Sequence, residues 1–174
     1  RFEGMLRNKE AIRLPEEDYE DIITFYSEKA KFGDALKACN LAIKQYPFVS
    51  DFKLEKAQLL LFMGNYEQAL ELIDEVSLLQ PYDLDANLIK SNALCFLGKF
   101  DEAVEVLEQV LTFRPEGVDE IYYSLGMVYQ NWGKLEEAVE CFKHTISINI
   151  QHEPATFEFA FALESLNKLQ EGII

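Results

Sequence analysis

Positive charge is scarce in this sequence, because 16 lysines and arginines stand against 31 aspartates and glutamates in 174 residues, a formal net charge of −15. Nucleic-acid-binding proteins normally present a basic surface, so this chain would repel a phosphate backbone. Long apolar runs are also missing: no stretch of eighteen uninterrupted apolar residues occurs, and the first twenty residues contain no apolar signal core. We therefore expect neither nucleic-acid binding nor membrane insertion.

Cysteine and histidine are few as well. Cys39, Cys95 and Cys141 lie far apart without a paired spacing, and only His144 and His152 could help them to hold a metal. Thiols buried in a reducing compartment are the better interpretation, so we expect a cytoplasmic protein without metal or cofactor. Glycine-rich phosphate loops, nucleophile elbows, H-E-x-x-H and C-x-x-C motifs are all absent from the sequence. These absences predict a protein that is not an enzyme.

What the sequence does contain is an internal repeat. Alanine recurs at intervals of 34, 34 and 35 residues, and proline recurs every 34 residues. Apolar residues at helical spacing follow each alanine, and a second helical segment before it ends at a glycine. Each unit is thus predicted to be a helix, a glycine turn, a helix and a proline break. The residues that mark the period are Ala35, Ala69, Ala103, Ala138, Pro47, Pro81, Pro115, Gly64, Gly98 and Gly133.

One unit carries the pattern W-x2-L-G-x2-Y followed by A-x3-F, with tyrosine in place of the tryptophan. Its residues are Tyr122, Leu125, Gly126, Tyr129, Ala138 and Phe142. This arrangement resembles the tetratricopeptide repeat, and the resemblance covers roughly residues 16 to 172. It implies an all-α fold, a right-handed α-α superhelix (solenoid) of antiparallel helix pairs, in which neighbouring units bury each other's apolar stripes.

The repeat period also predicts the division of the chain. A lead-in segment, residues 1–15, precedes a repeat domain, residues 16–174. The domain is predicted to hold four full repeats and a partial fifth, at 16–49, 50–83, 84–118, 119–152 and 153–174. The first helix of the fifth repeat is expected to begin at Glu153 and to end at Leu166, before a second helix that the sequence leaves incomplete.

Small residues recur where the two helices of a unit must approach closely. They stand seven residues before each turn, at Ala57, Ser91, Gly126 and Ala160, and again five residues after it. Larger side chains at these positions would push the helices apart. We therefore expect them to mark the packing interface of each pair.

The family resemblance further implies a binding surface, because the first helices of tetratricopeptide repeats line a concave groove that commonly holds an extended peptide or a partner helix. By spacing, the groove residues are Leu54, Glu55, Gln58, Phe62, Leu88, Asn92, Phe96, Tyr123, Met127, Phe157 and Phe161. Acidic residues earlier in these helices, Asp51, Asp85 and Glu120, are predicted to form a rim. The groove should be apolar in its middle and negative at its edges.

Together these features predict a non-enzymatic scaffold that binds a protein or peptide, apolar with basic flanks. Two alternatives stay open: a homo-oligomerising structural module, and an accessory domain of a larger enzyme or assembly. The groove residues could also be core in part, if residues 1–14 or further chain cover them. An assay of binding by wild type and groove variants would separate these hypotheses.

The recurrence of small residues yields a first prediction. Replacing Ala69 or Ala103 with leucine should overpack a close helix contact and lower the free energy of unfolding by about 1 to 3 kcal/mol. Thermal unfolding measures the effect. Unchanged midpoints in both variants would show that the helix interface lies elsewhere.

Overall fold

The computed structural model describes residues 13–113, 116–170 and 172. Within these residues there are nine helices and no strand, so the predicted all-α fold is confirmed. The helices are α1 (Glu16–Glu28), α2 (Phe32–Gln45), α3 (Asp51–Phe62), α4 (Tyr66–Ser77), α5 (Leu84–Phe96), α6 (Phe100–Thr112), α7 (Val118–Trp132), α8 (Leu135–Ile148) and α9 (Glu153–Gln170).

The helices follow one another in pairs joined by short turns, one pair in each of the four predicted full repeats. At three of the turns Gly64, Gly98 and Gly133 have φ angles of +76°, +74° and +81°. Glycine adopts this left-handed conformation readily because it has no Cβ. In the first pair Ala30 takes the same place, at φ +53°. The turn geometry is therefore retained where the glycine is not.

The chain divides into two compact units, Arg1–Val76 and Ser77–Ile174. In the first unit, α1, α2 and the start of α3 bury a core that includes Tyr19, Ile23, Cys39 and Phe52. The chain just before α1 is tied to the end of α2. Leu14 donates its backbone N–H to Oε1 of Gln45 at 3.3 Å, and its carbonyl accepts from Nε2 of Gln45 at 2.6 Å and from the Tyr46 hydroxyl at 2.8 Å. Residues 1–12, most of the predicted lead-in, lie outside the described residues.

In the second unit, consecutive helices from α5 to α9 pack on one another. The second helices of the pairs bury a stripe at intervals of three and four residues, which places it on one side of each helix. In α6 the stripe is Ala103, Leu107 and Val110, and in α8 it includes Ala138, Phe142 and Thr145. Since α5 also contacts α7, the first helices of these two successive repeats are neighbours.

At Gly126, α7 approaches α8 closely. A Cβ atom at Gly126 would lie 2.5 Å from Cε1 of the Phe142 ring in α8 and 2.6 Å from Cδ1. Cβ atoms in proteins essentially never lie within 3.0 Å of a nonbonded heavy atom, so a side chain at position 126 would require the Phe142 ring to move. Ser91, at the equivalent place in α5, is also fully buried. Ala160 in α9 is instead exposed, because no second helix covers it within the described residues.

The predicted end of α9 was wrong. The helix continues to Gln170 instead of ending at Leu166. Asn167 stands where three other repeats have the turn glycine, and asparagine and the lysine, leucine and glutamine that follow are compatible with a helix. Of the last four residues only Gly172 is described, so the predicted second helix of the fifth repeat lies mostly outside the described part of the chain.

The close approach at Gly126 predicts opposite effects for two alanine substitutions. Gly126→Ala should lower the free energy of unfolding by about 1 to 3 kcal/mol, because the new methyl group overlaps the Phe142 ring. Gly33→Ala is the matched control, since Gly33 lies in α2 and a Cβ atom there would have no neighbour within 4 Å. It should raise the free energy of unfolding by about 0.5 to 1 kcal/mol through helix propensity alone. Urea unfolding measures both, and a gain of equal size in the two variants would contradict the packing described.

Candidate functional site

The predicted groove residues of the second unit lie on α5, α7 and α9. On each helix they are four residues apart, so they share one side of it. α5 contacts α7, and α7 is linked to α9 by a hydrogen bond of 2.8 Å from Nε2 of Gln130 to Oε2 of Glu158. We call this surface the α5–α7–α9 face. Its residues are Leu88, Asn92, Phe96, Tyr123, Met127, Phe157 and Phe161.

The side chains of this face differ in exposure. Phe157 and Phe161, one turn apart on α9, are 71% and 52% exposed, and Phe96 at the end of α5 is exposed as well. Leu88 and Asn92 are half-buried. The exposed rings on α9 are therefore available to a ligand without any rearrangement of the helices.

Tyr123 and Met127 are half-buried because they also support the core. Both pack against the buried cluster formed by Ala138, Val139, Phe142 and Ala162. The Tyr123 ring lies 6.0 Å from the Phe142 ring, between centroids. Burial raises the pKa of the Tyr123 phenol, and the nearby carboxylates Glu158 and Glu120 raise it further. A change at Tyr123 would alter stability together with the face, so the phenylalanines of α9 are better probes.

The predicted rim residues of this unit, Asp85 and Glu120, lie in the first turns of α5 and α7 and are exposed. Carboxylates are favourable in this position because they face the positive end of the helix dipole. Glu120 has a nearby partner, since its Oε1 atom lies 3.5 Å from Nε2 of His152. Asp119 beside it accepts a hydrogen bond of 2.8 Å from Asn149, which holds the pKa of Asp119 below its usual value.

The remaining predicted residues belong to the first unit and all lie on α3. Leu54 and Gln58 are half-buried, while Asp51, Glu55 and Phe62 are exposed. Phe62 stacks on Phe32, with ring centroids 5.9 Å apart, so part of its surface is already used in packing. Partial desolvation of its carboxyl group raises the pKa of Glu55, and the carboxylates of Asp51 and Glu20 raise it further. These carboxylates make this surface of the first unit acidic.

The lone tryptophan is a packing residue. Trp132 ends α7 and stacks on Phe100 and Tyr129, with centroid distances of 5.7 and 6.3 Å. The ammonium group of Lys134 lies 3.3 Å above the tryptophan ring, a cation–π contact. These contacts hold the turn between α7 and α8.

The cysteines have the environment of structural thiols. All three are free; Cys39 is buried and Cys95 and Cys141 are half-buried. Burial raises the pKa of Cys39 to about 12 and that of Cys141 to about 11, and it raises the pKa of Cys95 as well. At neutral pH they are protonated thiols and weak nucleophiles. In the described part of the chain no three potential metal ligands come together.

The comparison with known families agrees with the repeat pattern. Residues 84–116 and 119–151 each match the model of the tetratricopeptide repeat family. These two segments are tetratricopeptide repeats. No curated protein sequence matches the chain, and no helix among the described residues is long and apolar enough to cross a membrane.

Solved structures of tetratricopeptide repeat proteins share the fold. A crystal structure of MamA is 23% identical over 90% of this chain and 85% of its own, with a TM-score of 0.65. MamA from Desulfovibrio magneticus RS-1 is 20% identical over 89% and 93%, also with a TM-score of 0.65. YrrB, described as a TPR protein with an unusual peptide-binding site, is 22% identical over 80% and 71%, with a TM-score of 0.63. At these identities the likeness shows the fold alone.

His152 lies next to this face, although the sequence pointed to it only as a candidate metal ligand. It is buried between the start of α9 and Tyr123 of α7, with ring centroids 4.8 Å apart. The repeat register offered a signal. His152 stands at the position that Asp83 has in the second predicted repeat, and Asp83 caps a helix.

The raised pKa of Glu55 gives a prediction about pH. A carboxyl group with a higher pKa in the folded state destabilises the fold once it is ionised, so the cost is present at neutral pH and disappears below the ordinary value of 4.5. Glu55→Gln should therefore raise the thermal midpoint at pH 7 and have no such effect at pH 3.5. Glu136→Gln, at an exposed position in the first turn of α8, is the control and should give no gain at either pH. A gain from Glu55→Gln that persists at pH 3.5 would contradict an ionic origin.

Proposed function

We propose that the α5–α7–α9 face binds an apolar peptide or helix that carries lysine or arginine at its flanks. The observation that supports this most is the pair of exposed rings, Phe157 and Phe161, on a chain of net charge −15. Exposed aromatic residues that lie together are typical anchors of protein interfaces. The chain would act as a scaffold in this proposal, and no catalytic step is part of it.

The two kinds of side chain would contribute differently. Burying one phenylalanine ring against a ligand removes enough apolar surface to contribute about 1.5 to 3 kcal/mol before the cost of ordering the ligand. Asp85 and Glu120 remain exposed to solvent, so their attraction to basic flanks is screened by salt. Such charges mainly raise the association rate. The phenylalanine rings, which become buried when the ligand binds, would set the dissociation rate.

The repeat family and the negative charge of this chain indicate which class of partner the face would bind. Tetratricopeptide repeats generally serve as protein-interaction scaffolds, and YrrB is described as having an unusual peptide-binding site. An acidic peptide is disfavoured on the α5–α7–α9 face because Asp85 and Glu120 are exposed carboxylates on two of its helices. The unpaired thiols fit a reducing compartment, and a cytoplasmic location is part of the proposal.

A homo-oligomerising module is the second candidate, favoured by one observation. Ala160 occupies the small-residue position at which α7 receives α8, yet it is exposed, and Leu169 on α9 is exposed as well. A helix from a second copy could pack there. Light scattering over a range of concentrations tests this: a mass that rises with concentration supports oligomerisation, and a constant monomer mass rejects it.

The binding proposal is tested with two fluorescent peptide pools, one of amphipathic basic peptides and one of acidic peptides, at low and high salt. The wild type should retain the basic pool and release the acidic one. Replacing both Phe157 and Phe161 with serine should weaken binding at least about tenfold, as expected for loss of an interface hot spot. Retention of the acidic pool by the wild type would contradict the proposed charge preference.

Matched control variants distinguish binding at the α5–α7–α9 face from nonspecific binding to the rest of the surface. Ile150→Ser changes a side chain that is 85% exposed in the loop before α9, and it should leave binding intact. Asp85→Asn should slow association at low salt, while Glu136→Gln removes the same charge from α8 without that effect. Equal losses in the face variants and in their controls would show that the binding is a general property of an apolar or acidic surface.

A further inference from the structure

His152 caps α9, the helix that carries the exposed phenylalanines. Its Nδ1 atom accepts a hydrogen bond of 3.0 Å from the backbone N–H of Ala155, and the residue is only 7% exposed. At the equivalent position Asp83 caps α5 by accepting from Ala86 N–H at 2.8 Å. A short carboxylate therefore suffices for capping in this fold. The imidazole ring of His152 also contacts a second helix, α7.

The rest of the His152 ring contacts α7. Its centroid lies 4.8 Å from that of Tyr123, and its Nε2 atom lies 3.5 Å from Oε1 of Glu120. One side chain thus touches a residue of the α5–α7–α9 face, a residue of the acidic rim and the first turn of α9. Asp83 before α5 is too short a side chain to bridge helices in this way.

We propose that His152 is a positioning residue for the α5–α7–α9 face and makes ligand binding sensitive to pH. The proposal rests on the proposed function of that face. The neutral imidazole holds α9 through Nδ1 and places Nε2–H toward Glu120, while its ring supports Tyr123. All three contacts exist together only in the tautomer that leaves Nδ1 unprotonated.

Protonation would break this arrangement, because an N–H at Nδ1 cannot accept from Ala155. The titratable and charged groups that interact with the ring are Glu120, Asp119 and Tyr123 of α7. Glu153, the next residue in the chain, is exposed at the start of α9. The loop after α8 contributes the carbonyl of Asn149, which accepts from the His152 backbone N–H at 3.1 Å.

The protonated state has a loosened first turn on α9 and a rim charge neutralised at Glu120. Both changes weaken the binding of an apolar ligand with basic flanks.

The experiment uses an amphipathic lysine-containing peptide without histidine and measures its Kd from pH 7.5 to pH 5.5. The wild type should lose about fivefold in affinity over this range, the factor that corresponds to one lost cap interaction. His152→Asn keeps a good capping residue but removes both contacts with α7, so it should bind more weakly at pH 7.5 and show no pH dependence. Asp83→Asn is the control for capping alone and should keep the pH dependence.

The chain has only two histidines, so the second serves as the control for titration. His144 lies exposed on α8 and stacks on Tyr122, with centroids 5.0 Å apart. His144→Gln should retain the fivefold change. Loss of the pH dependence in His144→Gln, or its persistence in His152→Asn, would overturn the proposal.

A measurement on the free protein distinguishes failure of this inference from failure of the proposed function. The NMR signals of the Tyr123 ring should move with the titration of the His152 imidazole and should be independent of pH in His152→Asn. If the wild type binds no peptide, the proposed function fails, and the Tyr123 titration still decides the positioning role. Tyr123 signals that ignore the state of His152 would overturn it.

Discussion

The close approach of α7 to α8 at Gly126 is the constraint on which the second unit depends. Phe142 fills the space that a side chain at position 126 would need, and the same ring supports Tyr123 of the α5–α7–α9 face. Packing density in protein interiors leaves no room for slack at such a contact. The face therefore depends on the core contact between Gly126 and Phe142. The packing of α8 against α7 fixes the position of Tyr123 in the face.

The face combines this rigid base with polar groups at helix ends. Asp85 and Glu120 lie in first turns, where the helix dipole favours a carboxylate whether or not a ligand is present. Because α5 and α7 contact each other, carboxylates in their first turns can form a negative rim at little cost to the stability of the fold. His152 adds a link between two of these ends, because it joins the start of α9 to the start of α7.

Much of this architecture could be predicted from sequence, because a repeat reports the same interface several times. Ala69, Ala103 and Ala138 are fully buried as their period implies, and the glycine turns have the positive φ angles that only glycine adopts easily. The prediction failed where one repeat departs from the pattern. At Asn167 nothing stops the helix, so α9 runs on to Gln170. A contact made by a residue outside the pattern was also beyond a periodic argument: His152 packs against Tyr123, whereas the equivalent position before α5 holds Asp83.

The central claim is that ligands bind on the α5–α7–α9 face, and Met127 reports on it directly. The chain has three methionines, and Met127 lies half-buried on this face beside the cluster that supports Tyr123. With methyl-labelled methionine and assignment by Met127→Leu, titration of a basic amphipathic peptide should shift the Met127 signal saturably, with the Kd measured by fluorescence. Saturation of the peptide fluorescence with an unchanged Met127 signal would contradict the account, because the ligand would then occupy another surface.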